Sequence, residues 1–223
     1  MTTVAIMQPY FVPYAGYFRL FAAADVFVAY DCVQFPRRGF VHRNKLTDRQ
    51  GELRYLTLPL AAAPRDTRID ALAFRDDAAA VLHREAHRFP ALRNAPATDP
   101  LMQWLLSPDR PVADYLVAGL RLCAERLDVG RPIHRSSALG LSSDIRGQDR
   151  ILAIAKAFGA RAYVNAPGGR DLYDPEPFRA EGIALGFLRP VAGAKHSILE
   201  RLLSEDTAAL AQEIRDETVI EWA

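Results

Sequence analysis

The first thirty-one residues constrain the fold most. Thr3 to Met7, TVAIM, is a short apolar run with β-branched residues and reads as a buried strand. QPYFVPYAGY follows, and its two prolines and one glycine make an irregular loop running into a helix start. Pro13 suits the first turn of that helix. YAGYFRLFAAA supplies successive apolar helical turns, and residues 25–31, DVFVAYD, read as a second strand. Strand, loop, helix and strand within about 30 residues is the size of a βαβ unit. Such a unit is right-handed and sets its strands parallel. Ligands of such sheets bind outside the carboxyl ends of the strands. Here those ends carry QPYFVPY and YDCVQFPRRGFVHRN.

The rest of the chain keeps the alternation. Residues 54–60, RYLTLPL, read as a strand and 61–74 as a turn with a short extended piece. Residues 76–89 are helical until three prolines in FPALRNAPATDP break the pattern. Residues 101–127 are mostly helical with a break at SPDRP, so 76–128 form a helical middle, readable as a subdomain or a lid. RPIHRSSAL carries a short strand. A helix over 148–158, a strand over 161–165, a short helix over 175–181, a strand over 183–188 and one helix over 197–214 complete the order. The expectation is α/β: a single Rossmann-like domain over 1–223 with a mostly parallel sheet.

Composition narrows the partners. Half of the residues are hydrophobic, a quarter are charged and the net charge is +1, as in a folded chain with no global field to draw in nucleic acid or an anionic membrane. The two cysteines form no CxxC and are too few for a disulfide framework. MTTVAIMQPY lacks the basic and long apolar regions of a signal peptide, and no run approaches about 18 apolar residues. The expected location is cytoplasmic, with no membrane span and no nucleic acid partner.

Three clusters carry chemistry. In the first, Gln8, Tyr10, Tyr14 and Tyr17 surround a strand-to-helix junction. Free N–H groups at a helix start favour an anion, and Gly16 would let a ligand approach the backbone. The same tyrosines could simply pack the top of the sheet. The second, YDCVQFPRRGFVHRNK, places Asp31, Gln34, Arg38, His42, Arg43 and Asn44 just past a strand. An arginine fork matches phosphate or carboxylate, and Asp31 could orient a hydroxyl or amine or act as a base. The alternative is a solvated basic loop. The third, GQDRILAIAKAFGARAYVNAPGGRDLYD, places Gln148, Asp149 and Arg150 at a helix start. Asn165, Gly168, Gly169 and Tyr173 leave the following strand. Asp149 suits a cap. Arg150 opposes the helix dipole and needs a partner. In a parallel sheet Asn165 exits on the same edge as Gln8 and Asp31, whereas Arg150 starts near the opposite edge.

Other candidates are weaker. His83 and His87 lie one helical turn apart, but HREAH is not HExxH and has no clear third ligand, so no metal site is read. Cys32 and the serines 136, 137, 142 and 143 sit in no nucleophile motif. Neither a Walker A sequence nor GxGxxG occurs, which disfavours a P-loop or an ordinary dinucleotide site.

MQPYFVPYAGYF, YDCVQFPRRGFVHRNK, LTLPL, GQDRI and GARAYVNAPGGRDLYD together resemble the WbqC-like family, in order over nearly the whole chain. The family pattern has Asp-Asp where this chain has Asp31-Cys32, and commonly Trp where Phe40 stands, so a mechanism needing paired acids there is not supported. The resemblance implies a role in bacterial surface-polysaccharide biosynthesis of the O-antigen type. The leading expectation is a transferase acting on a sugar or amino sugar, by acyl or aminoacyl transfer to an amine. Asp31, Gln8, Asn44 and Asn165 are its expected catalytic residues, with the other cluster residues binding substrate. An activated acyl thioester or a nucleotide is the candidate co-substrate, a sugar or nucleotide sugar the small-molecule partner, and an acyl carrier protein a further candidate partner. The layout of the first unit also resembles the HIGH-type nucleotidyltransferase and ligase superfamily, with Tyr14 and Tyr17 at the histidine positions. Nucleotidyl transfer or ATP-dependent ligation is therefore one alternative, and a non-catalytic binding module for a nucleotide sugar or carrier protein another.

Overall fold

A computed structural model describes residues 2–193 and 196–223. β1 (Thr3–Met7), α1 (Ala15–Ala23) and β2 (Val26–Ala29) form the unit expected at the N-terminus. β1 and β2 run parallel, with Val4 opposite Val26 and Met7 opposite Ala29. The strand expected over 54–60 is β4 (Leu53–Thr57), and it pairs antiparallel with β3 (Arg43–Thr47) in a separate two-stranded hairpin. β3 reads RNKLT, so its polar sequence hides it within what looks like a loop.

The helical middle consists of α2 (Ala78–Ala86), α3 (Pro90–Asn94), α4 (Pro100–Leu106) and α5 (Val112–Arg126). Then come β5 (Ile133–Arg135), α6 (Gly147–Ala157), β6 (Ala162–Asn165), α7 (Pro175–Ala180) and β7 (Ala184–Leu188). The helix expected over 197–214 is two helices, α8 (Ile198–Ser204) and α9 (Thr207–Asp216). Asp206 explains the break: its side chain accepts from the Ala208 N–H at 2.8 Å and starts a new helix. A short strand, β8 (Ile220–Trp222), follows where no element is expected.

Among the described residues the main sheet has six strands in the order β5-β2-β1-β6-β7-β8. All neighbours are parallel except β7 and β8. Numbered by their own succession, these strands run 3-2-1-4-5-6, the Rossmann order. Strand periodicity divides the core between two faces. Val4, Ile6, Val28, Leu185 and Phe187 pack with Ile151 and Ile154 of α6 and Phe178 of α7. Ala5, Phe27, Ala29 and Val164 face the larger core built on α1 and α5. Phe21 stacks on Phe27 there, with ring centroids 4.2 Å apart. Each such large side chain contributes about 1.5–3 kcal/mol through burial.

The helical middle shares this core. Trp104 stacks on Tyr115 at 4.7 Å and reaches to 6.2 Å from Phe11, in the loop after β1. Its indole N–H donates to the Tyr115 carbonyl at 2.9 Å, so its polar atom is satisfied in the interior. No helix among the described residues is long and apolar enough to cross a membrane. The chain winds from β1 to β2 with α1 on one face and from β6 to β7 with α7 on the other. The reversal opens a crevice at the carboxyl ends of β1 and β6, where ligands of such sheets bind.

Candidate functional site

A cavity of about 640 Å³ occupies this crevice. It lies within the size range of small-molecule sites. The loop leaving β1 supplies Gln8, Tyr10 and Tyr14, and α1 supplies Gly16, Tyr17 and Arg19. Asn165, Gly168, Gly169 and Tyr173 come from the turn after β6. Pro190 to Gly193, Arg201, Glu213 and Glu217 complete another side. Thus the cavity joins the first sequence cluster with the second half of the third. None of residues 76–128 lines it.

Local geometry fixes this lining. The Tyr17 hydroxyl donates to the Gln8 carbonyl at 2.7 Å, holding the loop's first residue against α1. Tyr10 and Tyr17 have ring centroids 5.4 Å apart. Burial raises the pKa values of Tyr10, Tyr14 and Tyr17, so their phenols stay neutral hydrogen-bonding groups. Tyr30, also in the lining, is pushed up to about 12, first by burial and then by Cys32. The Asn165 Oδ1 accepts from the Ala166 N–H at 2.7 Å, which orients its amide. Gly169 packs directly on that amide; a Cβ there would run into Asn165 Nδ2. Gly16 likewise leaves room for the Tyr14 ring.

Val12 has φ of +37°, a costly conformation for a β-branched residue. Two buried donors converge on its carbonyl: Asn44 Nδ2 at 2.8 Å and Ser197 Oγ at 2.7 Å. Asn44 also donates to the Phe11 carbonyl at 3.3 Å. Asn44 therefore supports the cavity loop from outside and does not line the cavity.

Asp31, Gln34, Arg38, His42 and Arg43 of the second cluster also lie outside the lining. Asp31 is fully buried at the tip of β2. Its carboxylate accepts from Arg135 Nε at 2.6 Å, Ser136 Oγ at 3.0 Å, and the Ser137 N–H and Oγ, both at 2.8 Å. A carboxylate offers about four lone-pair sites, so the protein itself occupies them. Burial alone would raise the Asp31 pKa. Hydrogen bonds from Arg135 and Ser137, with the Arg135 charge, outweigh burial and hold it below the usual range. Gln34 donates to the Arg65 carbonyl at 2.8 Å. Arg43 lies over the Tyr55 ring at 4.5 Å and donates to the Arg38 carbonyl at 3.2 Å, while the Arg38 side chain is exposed. His42 packs edge-on against Phe35, and burial followed by the Arg43 charge lowers its pKa to about 4.

Gln148, Asp149 and Arg150 of the third cluster are likewise outside. Gln148 makes two bonds to the Asp174 backbone, at 2.7 and 3.0 Å, at the start of α7. Asp149 is exposed and makes no side-chain cap bond. The partners of Arg150 are the Ile145 carbonyl at 2.6 Å, the Cys32 thiol at 3.1 Å and the Ser142 carbonyl. It ties the 142–145 turn to the tip of β2.

A family model described as the WbqC-like protein family matches residues 8–196. The chain belongs to the WbqC-like family. The match begins at Gln8 and covers the loop after β1 and the whole turn after β6. Arg201, Glu213 and Glu217 lie beyond it. An uncharacterized protein of Mycobacterium tuberculosis, Rv1507c, is 38% identical over 65 residues. That stretch is 29% of this chain and 28% of the relative, so the likeness spans under a third of either protein. No solved structure matches the chain.

Sequence reasoning missed Arg19, Arg201, Glu213, Glu217 and Ser197. For Arg19 a signal was present: it is the one charged residue in AGYFRLFAA, on a helix expected to be buried. The C-terminal residues carry no local signal, because their place at the cavity depends on the packing of α8 and α9.

Proposed function

We propose that this WbqC-like protein is a transferase that modifies a sugar or amino sugar in bacterial surface-polysaccharide or related biosynthesis, with the cavity between β1 and β6 as its substrate site. The observation that carries this reading is that Gln8 and Asn165, from adjacent strand ends, both line a cavity otherwise rich in tyrosine. Amides and neutral phenols suit vicinal hydroxyls, and aromatic rings suit the apolar face of a pyranose. The favoured reaction is acyl or aminoacyl transfer to an amine. The amine nitrogen bonds to the acyl carbonyl, the C–S bond of a thioester breaks, and the thiolate leaves with the proton the amine gives up. Gln8 and Asn165 would donate to the developing oxyanion. Asp31, with its acceptor sites already engaged, enters this reading as a positioning residue that fixes the end of β2 rather than as the base.

A ligand-stabilisation screen tests the proposal. Nucleotide sugars, acyl thioesters and ATP would be added separately and the thermal midpoint read, since a ligand that binds the folded state raises it by mass action. The expected result is stabilisation by a nucleotide sugar, reduced in Gln8→Ala and Asn165→Ala, and turnover when the matching acyl thioester is present. Stabilisation by ATP with pyrophosphate release would favour nucleotidyl transfer instead. Sugar binding without turnover would favour a binding module.

A further inference from the structure

We infer that Arg19 binds a phosphate oxyanion of the substrate, which makes the ligand a phosphate-bearing, nucleotide-activated sugar rather than a free one. This rests on placing the substrate in the β1–β6 cavity. Arg19 is only 2% exposed, within a helix that is otherwise apolar. A buried guanidinium is costly unless paired and hydrogen-bonded. Its Nη2 donates to the Arg189 carbonyl at 3.0 Å, at the exit of β7. Its Nε is buried with no partner, and Arg19 forms no salt bridge among the described residues. A guanidinium carries five N–H donors; only one Arg19 donor has a partner among the described residues, and Arg19 is one of the residues lining the cavity.

The first turn of α1, beside Arg19, points to the same ligand. Arg19 lies one helical turn after Ala15, on the same face, and helical side chains lean toward the N-terminus. Its charge acts on Tyr14, the residue before α1, and the first turn of α1 has no side-chain cap and contributes Ala15 and Gly16 to the cavity lining. A carboxylate could be satisfied by the guanidinium fork alone. A phosphate has a further oxygen for the Ala15 and Gly16 N–H groups, the Tyr17 N–H already donating to the Tyr14 carbonyl at 3.0 Å. The neighbouring cation Arg201 is already committed, bonding Glu213 at 2.7 and 2.8 Å and Glu205 at 2.9 and 3.0 Å. Glu217 lines the same side and its charge acts on Arg19. It partly balances the guanidinium and would oppose a bound anion.

Calorimetric titration of UDP and of glucuronate into the full chain and its R19M, R19K and E217Q variants tests this, with thermal unfolding of each as the fold control. UDP should bind the wild type more tightly than glucuronate. R19M should weaken UDP about tenfold to a hundredfold, the cost of losing charge-assisted hydrogen bonds. R19K, a point charge without the fork, should fall between, and E217Q should tighten UDP by about threefold through lost repulsion. A folded R19M that binds UDP like the wild type, or a preference for glucuronate, overturns the inference. If R19M does not fold, E217Q decides: tightening supports the assignment and unchanged affinity overturns it. Arg19-dependent UDP binding without any group transfer would sink the transferase reading alone. Transfer activity with Arg19-independent UDP binding would sink this inference alone.

Discussion

Asp31→Ala separates a structural clamp from a catalytic base. The carboxylate holds four donors from Arg135, Ser136 and Ser137, which fastens β2 to the turn after β5. Ser136 closes the network by accepting from the Asp31 N–H at 3.0 Å. Removing one partner of a buried charge pair costs about 3–5 kcal/mol. Arg135 keeps its bond to Asp114 at 2.6 Å and its side chain is 27% exposed, so it is not stranded. The expected loss is at the low end, about 3 kcal/mol, or roughly 6–12 °C in thermal midpoint for a chain of this size. Asp31→Asn keeps the shape and one acceptor and should cost about 2 kcal/mol. The effect must also depend on pH. A carboxyl whose pKa is depressed by folding stabilises the fold above its unfolded value, 3.8, and loses that contribution as pH falls toward the folded value. Urea denaturation of wild type and Asp31→Asn at neutral pH and near pH 3 should therefore show a gap that narrows as the pH falls. An Asp31→Asn variant with wild-type stability at both pH values and no turnover would refute the clamp and restore Asp31 as the base.

Asn44→Ala removes the donor to the Phe11 and Val12 carbonyls. It should cost about 1–3 kcal/mol in denaturation and weaken nucleotide-sugar binding; lost stability with unchanged binding would contradict its support of the cavity loop. Gly169→Ala forces a Cβ against the Asn165 amide. It should weaken ligand binding about tenfold while the fold survives, as titration would read. Gly119→Ala drives a Cβ into the Trp104 ring, outside the cavity, and should cost about 1–3 kcal/mol with no change in ligand affinity. His42, with its pKa near 4, is neutral in the fold and opposes protonation. It contributes stability above the ordinary histidine value of 6.5 that is lost as pH falls toward about 4. Its ring resonances should show no titration between about pH 5 and pH 8, and a midpoint near 6.5 would contradict its burial.

Much of the fold was written in local patterns. TVAIM and DVFVAYD have the continuous apolar character of strands covered on both faces, and the helix between them left little choice of topology. β3 was not legible because a two-stranded ribbon near the surface needs no apolar run, and RNKLT is mostly polar. The break between α8 and α9 was signalled by SED at 204–206, but helical periodicity across it masked the cap. For the site, polar density after a strand identified two different things. At Gln8 and Asn165 it marks the cavity. At Asp31, just past β2, it marks a buried group that holds a loop to the sheet, as Asn44 within β3 and Arg150 at the start of α6 hold theirs. Both uses demand polar side chains in the segments that join the elements, so only the hydrogen-bond partners tell them apart.

On the proposed reading, substrate occupies the switch point between β1 and β6. Hydrogen–deuterium exchange with and without a nucleotide sugar that stabilises the protein tests it most directly. Protection is predicted in residues 8–19 and 165–173, the two segments that meet across that crevice. Protection confined to residues 34–45, with 8–19 and 165–173 unchanged, would contradict the account and move the site to the basic loop.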